Sequence, residues 1–329
     1  MQPIASSELR TASASLFSNL VLVWTATAVY LTHPYFLRFY SDDARFLLLG
    51  LAVVYSVLSP AFFLSYLQSG APSHGLNVFR GLRRILQARK LTWLPEERLS
   101  TLLTGVRAFF IPLMANAVIG HAHQIGYRMS LLNQDASTDR SLDTYYVVLA
   151  MMFMLDTLVF LLGYMVESPR LSNHVRSVDS SASGWLATLS CYSPFSGVTM
   201  LIIPWAPTYE VFIESGDFRN VIMVVVVILT ALTLGAVAAL GLKASNLTHR
   251  GVVTNGPYSV VRHPIYTLKL MTWTMIALPT LTVVSASGIA AWALLYLARA
   301  ITEERHLSKD PAYIAYQEKV KYRFIPGLI

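Results

Sequence analysis

Cysteine is almost missing from this chain. Cys191 is the single one among 329 residues, which excludes an intramolecular disulfide and a cysteine-built metal site. Charge is scarce too. Asp, Glu, Lys and Arg make up 13% of the residues, about half the ~25% of a soluble domain. Acids are fewer than bases, 18 against 25. In a soluble protein that excess would suggest nucleic acid, but basic loops in a polytopic chain are explained first by topology, so no nucleic-acid partner is expected. Internal repeats and low-complexity tails are missing. So are the charged start and A-x-A site of a signal peptide, and the first apolar run is therefore expected to remain as a membrane span.

What the chain has is apolar length: 54% of its residues are hydrophobic. A hydrocarbon core of ~30 Å takes about 20 apolar residues per helix. On that measure helices are predicted near Leu16–Phe36, Phe46–Leu67, Leu99–Gly120, Tyr145–Met165, Trp185–Trp205 and Asn220–Leu242. Leu268–Ile301 is too long for one span and is interrupted by Pro279 and the Ser285–Gly288 small-residue run. A helical hairpin fits it, giving an all-α polytopic membrane protein of about eight spans. Residues 1–242 would form the membrane scaffold, and residues 243–329 a cofactor-binding region with a C-terminal cap.

Lys and Arg mark the cytoplasmic side. They crowd the loop holding Arg80, Arg83, Arg84, Arg89, Lys90 and Arg98, the loop after Leu242, and the C-terminal tail. Both termini are therefore expected in the cytoplasm, in a bacterial inner membrane. Leu76–Leu91 has Phe79, Leu82 and Leu86 at helical spacing with arginines between, which predicts an amphipathic helix lying in the interface. Arg107 and Asp156 fall inside predicted spans, where ionisable groups are functional candidates unless they form a structural ion pair. His121 and His123, two residues apart, face different sides of a helix and read as interfacial residues, not ligands.

Two polar patches interrupt the apolar C-terminal part. The first is GVVTNGPYSVVRHPIY, Gly251 to Tyr266. Gly251 and Gly256 allow backbone conformations closed to other residues and close approach of a ligand; Pro257 and Pro264 stiffen the chain. Arg262 offers a planar fork for a carboxylate or phosphate. His263 donates or accepts near neutral pH, and Tyr258 and Tyr266 present rings to a nucleobase or a cation. In the second patch, which runs to Ile329, Arg299 and Glu303 share a helix face, with Glu304 beside them. Two adjacent carboxylates at a membrane boundary suit an ammonium or ribose hydroxyls. The aromatic, basic segment from Tyr313 to Pro326 is suited to packing back over a cytoplasmic pocket.

GPYSVVRHPIY, followed by a hydrophobic stretch, Arg299-x-x-x-Glu303-Glu304 and AYIAYQEKVKYRFIP, resembles the isoprenylcysteine carboxyl methyltransferase superfamily, which includes phospholipid methyltransferases. The resemblance covers the last quarter of the chain; no upstream helix carries a matching motif. It implies an all-α membrane enzyme with S-adenosylmethionine as methyl donor and a lipid or lipidated small molecule as acceptor. It places His263, Pro264, Tyr266 and Glu304 beside the donor, with Arg262 and Tyr258 supporting, and gives Arg299 and Glu303 the catalytic role of orienting the acceptor. Leu268 and Lys269 stand where related chains commonly carry a glycine, which bears on the acceptor tunnel.

Such a reaction needs no metal. Its donor comes from the cytosol and its acceptor sideways from the bilayer, so its site belongs at the cytoplasmic boundary. A carboxylate acceptor, giving O-methylation, would need no general base. Two other readings remain open: an NADPH-dependent sterol-reductase-like oxidoreductase with a similar Arg-His and Tyr-Arg-x-Ile-Pro pattern, and a non-enzymatic transporter or scaffold, for which Arg107 and Asp156 are the best support.

Overall fold

The computed structural model describes residues 6–328 apart from 70, 71, 91, 135, 169, 170, 172, 204 and 214. Leu91, Pro204 and Ile329, each inside or at the end of a predicted segment, lie outside the described residues, as do the first five. The chain divides into two compact units, Met1–Ile119 and Gly120–Ile329.

The first unit contains α1 (Ser6–Thr32), α2 (Pro34–Phe39), α3 (Asp42–Val57), α4 (Ser59–Ser69), α5 (His74–Ala88) and the start of α6 (Pro95–Asn133). Ser41 and Ser73 start α3 and α5 by accepting the N–H of Ala44 and Leu76; capping satisfies donors that the helix itself leaves orphaned. Tyr30, Leu48 and Ala115 form a buried cluster with Phe36 and Tyr40. The predicted interfacial helix is α5. Its inner face is Gly75, Asn77, Val78 and Gly81, and Gly81 lies so close to the Trp93 ring that a Cβ would collide with it. Phe79, Leu82 and Leu86 point outward, as an interface-lying helix requires. Buried Glu97 holds Arg84 through both carboxylate oxygens (3.1 and 3.2 Å).

The second unit contains the rest: α7 (Arg140–Met165), α8 (Ala182–Leu189), α9 (Phe195–Ile202), α10 (Asp217–Leu240), α11 (Pro264–Ala277), α12 (Val283–Leu307) and α13 (Pro311–Lys319). Its sheet is one antiparallel pair, β1 (Ser177–Val178) with β2 (Thr248–His249). α10 packs between α7 and α11, and α12 packs on α8 and α11. Asp139 caps α7, Thr282 and Ser285 form a capping box on α12, and Asp310 with Pro311 opens α13.

Among the described residues the protein is therefore helical, with almost no sheet, and five helices are long and apolar enough to cross a membrane: α1, α6, α7, α10 and α12. A sixth span exists if α3 and α4, bent by 48° at Leu58, count as one. The expected number was about eight. The difference lies in particular places. Trp185–Trp205 is apolar enough for a span, but turns at Ser190–Pro194 break it into two eight-residue helices. α11 has 14 residues, about 21 Å of helix, short of a ~30 Å core.

Candidate functional site

Glu304 is the centre on which the two polar patches meet. It lies in the last turn of α12, buried at 3% exposure. Arg262 Nε donates to its Oε1 at 2.8 Å, His263 Nε2 lies 3.1 Å from the same oxygen, and Arg323 Nε donates to Oε2 at 2.9 Å. Gln317 adds a weaker contact at 3.4 Å. Two guanidiniums, an imidazole and an amide leave this carboxylate little capacity to accept anything more. Arg262 is equally committed, since its Nη1 donates to the carbonyls of Val320 and Lys321 at 2.7 Å each.

The main chain joins the patches too. Arg262 N–H donates to Tyr322 O (2.9 Å) and His263 N–H to Arg323 O (2.8 Å). The aromatic tail thus packs back over the RHPIY segment, in the way its composition suggested. Tyr258 belongs to this packing. It is buried with Tyr313, Tyr316 and Val320, and its carbonyl accepts from the Tyr316 hydroxyl at 2.7 Å. Burial pushes the Tyr258 phenol above its ordinary range, so it stays neutral. Pro264 opens α11 and fixes the direction in which His263 and Tyr266 leave the loop.

A second cluster adjoins the first through Tyr266. The His263 and Tyr266 rings stack at 5.2 Å and 7°. The Tyr266 hydroxyl donates to Glu303 Oε2 at 2.8 Å; Glu303, at 43% side-chain exposure, is the open member of the glutamate pair. Arg299 lies under the same ring, its guanidinium 5.2 Å from the Tyr266 centroid and 5.4 Å from that of Tyr192. It is buried, and its one hydrogen bond is to Asn246 Oδ1. Among the described residues no carboxylate pairs with it. The burial of a guanidinium against rings and one amide leaves donors for an anionic group.

A water-sized space of about 30 Å3 borders Arg299 and Glu303. Its other walls are side chains that sequence reasoning missed, among them Asp179, Asn246, Thr248 and His306. Asn246 holds the wall in place: its N–H and Nδ2 both donate to the Tyr164 hydroxyl, at 2.8 and 2.7 Å. The β1–β2 pair fixes the same region from behind, and His306 Nε2 lies 3.2 Å from Ser177 Oγ. Next to it His249 is held below its ordinary pKa by burial, against the pull of Asp310, and is a neutral imidazole. Asp310 in turn is held low by the Ala312 N–H and by Arg176, whose Nη1 donates to it at 2.8 Å.

All eight predicted site residues therefore lie in one connected region, divided in two. Glu304, Arg262, His263, Pro264 and Tyr258 build it, while Arg299 and Glu303 edge the open space and Tyr266 contacts both of them. The signal that could have found the missing wall is the polar run Ser245-Asn246-Leu247-Thr248-His249 just before Gly251.

Residues 217–311 match the family of phospholipid methyltransferases. No curated protein matches the chain significantly. The matched span takes in α10, the RHPIY loop, α11 and α12, and stops as α13 begins. It fits the isoprenylcysteine and phospholipid methyltransferase superfamily, and supports methyltransferase activity for a chain with several membrane-length helices.

Proposed function

We propose that the protein is an S-adenosylmethionine-dependent methyltransferase acting on a hydrophobic, membrane-embedded acceptor at the cytoplasmic face of a bacterial inner membrane, with a carboxylate as the acceptor group. The observation that carries this reading is buried Arg299, which has no carboxylate partner and shares an open space with half-exposed Glu303. Opposite charges presented about one helical turn apart suit a donor or acceptor that carries both a cation and an anion. When bound, the donor supplies an electrophilic methyl group on a sulfonium.

The residues divide the work. Glu303, oriented by the Tyr266 hydroxyl, offers a carboxylate to an ammonium or to ribose hydroxyls. The Tyr266 and Tyr192 rings hold Arg299 from two sides, so its free donors keep one direction. Arg299 would then align an acceptor carboxylate, whose own lone pair would form the new C–O bond without a general base while the methyl–sulfur bond of the donor breaks and its electron pair leaves on sulfur as the neutral thioether. Alignment in a dry site contributes about 7–11 kcal/mol in favourable cases. Glu304, already saturated, acts by fixing Arg262 and His263, with residues 243–329 folding as one functional region. The present space of about 30 Å3 is smaller than a nucleoside, so donor entry requires the Ser245–Thr248 segment to move away from α12.

Calorimetric titration with S-adenosylhomocysteine, with NADPH in parallel, tests the reading. Micromolar binding of the former, weakened at least tenfold in Glu303→Gln, is expected. Binding of NADPH alone would overturn the methyltransferase reading in favour of a reductase.

A further inference from the structure

A space larger than the one beside Arg299 lies elsewhere in the second unit. A chamber of about 770 Å3 lies among α7, α10, α11, the Gly120–Asn133 end of α6 and the Pro207–Glu210 segment. That volume is in the range of small-molecule sites, about 300–1,000 Å3. Its apolar wall includes Leu149, Phe153 and Leu234.

Several polar groups on its wall are already committed, and the Glu210 carboxylate is exposed. Thr230 and Thr233 donate to the carbonyls of Val226 and Leu229 (2.8 and 2.9 Å). Arg128 is held by Asp143 at 2.5 Å and lies over the Tyr146 ring. Asp156 and Lys269 differ. Both line the chamber, and among the described residues they make no ion pair with each other or with any other group. Asp156 Oδ1 is buried with no hydrogen-bond partner. A carboxylate and an ammonium that line one chamber without closing on each other form a seat for a group that donates to one and accepts from the other.

We propose that this chamber is a binding site for a neutral, hydroxyl-headed amphiphile, with its O–H donating to Asp156, its oxygen accepting from Lys269 and its hydrocarbon tail against Leu149, Phe153 and Leu234. The two charges offset each other, so a head of net charge would leave one of them in excess. A hydroxyl also loses far less hydration than an ionic head on entering an apolar site. The site goes beyond the methyltransferase reading, because occupying it requires no methyl transfer.

The test is photoaffinity labelling of the full chain in lipid nanodiscs with a diazirine-bearing hexadecanol, reading label on the α7 and α10 peptides. Unlabelled hexadecanol, palmitate, hexadecylamine and a zwitterionic lysophospholipid serve as competitors. Hexadecanol is expected to compete at least tenfold better than the three charged amphiphiles. Asp156→Asn and Lys269→Met are each expected to weaken it about tenfold or more, the scale of one hydrogen bond to a charged group. Leu234→Trp, which narrows the chamber on the side of the hydrocarbon tail without touching either charge, is expected to weaken labelling. S-adenosylhomocysteine binding, read in parallel, should survive in all three variants and reports that they are folded. Equal or better competition by a charged or zwitterionic amphiphile, or labelling indifferent to Asp156→Asn and Leu234→Trp, would overturn the proposal. Failure of the parent protein to bind S-adenosylhomocysteine would count against the methyltransferase reading alone.

Discussion

Two carboxylates of the second unit, buried Glu304 and half-buried Asp156, are in opposite situations. Glu304 is surrounded by Arg262, His263, Arg323 and Gln317; Asp156 has a buried oxygen that touches no donor. Both lie on membrane-length helices, and both face a lysine, arginine or histidine. What differs is where the donors come from. Those of Glu304 arrive from two chain segments that hydrogen-bond to each other through the backbone, so the cluster closes on itself. Those of Asp156 would have to come from Lys269, which lines the same chamber on another helix and does not close on it. A saturated carboxylate is architecture, and an unsaturated one beside a space is an invitation to a ligand.

Glu304→Ala should break the comparison most severely. It leaves two arginines and a histidine without their anion, and removing one partner of a buried charge cluster costs about 3–5 kcal/mol. A thermal melt in detergent should fall steeply, with donor binding lost, and Glu304→Gln should fall between the two. An unchanged melt would mean that Glu304 is not the joint between the patches.

Asp156→Asn should move stability far less, by no more than about 1 kcal/mol in either direction, because no hydrogen bond on Oδ1 is lost. A fall as large as that of Glu304→Ala would show that Asp156 is structural, which makes the same melt a sharp discriminator between the two acids.

The smallest effect is expected at a third acid, half-buried just before α7 begins. Arg219, the Leu142 N–H and Ser141 hold Asp139 down to about 2, from an ordinary 3.8. Its folded-state value is depressed, so its contribution is fully present above the unfolded value and is lost as pH falls from about 4 towards 2. Melts taken between pH 5 and 2 should lose a little less in Asp139→Asn than in the parent chain.

Much of this was legible in the sequence. Arg262, His263 and the Glu303–Glu304 pair could be brought together because special residues were crowded into two short stretches. α5 could be read because Phe79, Leu82 and Leu86 keep one helical period. The wall made by Asn246 and Asp179 was not legible from periodicity, since short polar loops have no period and the Asn246 partners Tyr192 and Arg299 lie more than 50 residues away. The span count failed at Trp185–Trp205 for a related reason. Hydropathy sees apolar side chains and not the turns at Ser190–Pro194 that break the helix. His121, read as interfacial, lines the chamber and packs on Phe153 at 5.7 Å. Lys269 stood out as a departure from the resembling chains, but its partner across the chamber could be found only in three dimensions.

The backbone bonds from Arg262 and His263 to Tyr322 and Arg323 also set an order of events during synthesis. A growing chain that has made α12 but not yet residues 320–323 has the glutamates and the RHPIY loop in hand, yet Arg262 lacks the carbonyls that hold its far end and Glu304 lacks one of its two guanidiniums. The helices can enter the bilayer and pack before then, while the polar joint stays unmade until the tail emerges and folds back. A chain cut before Val320 would keep its membrane-length helices, yet leave Arg262 and Glu304 without the partners that close the joint.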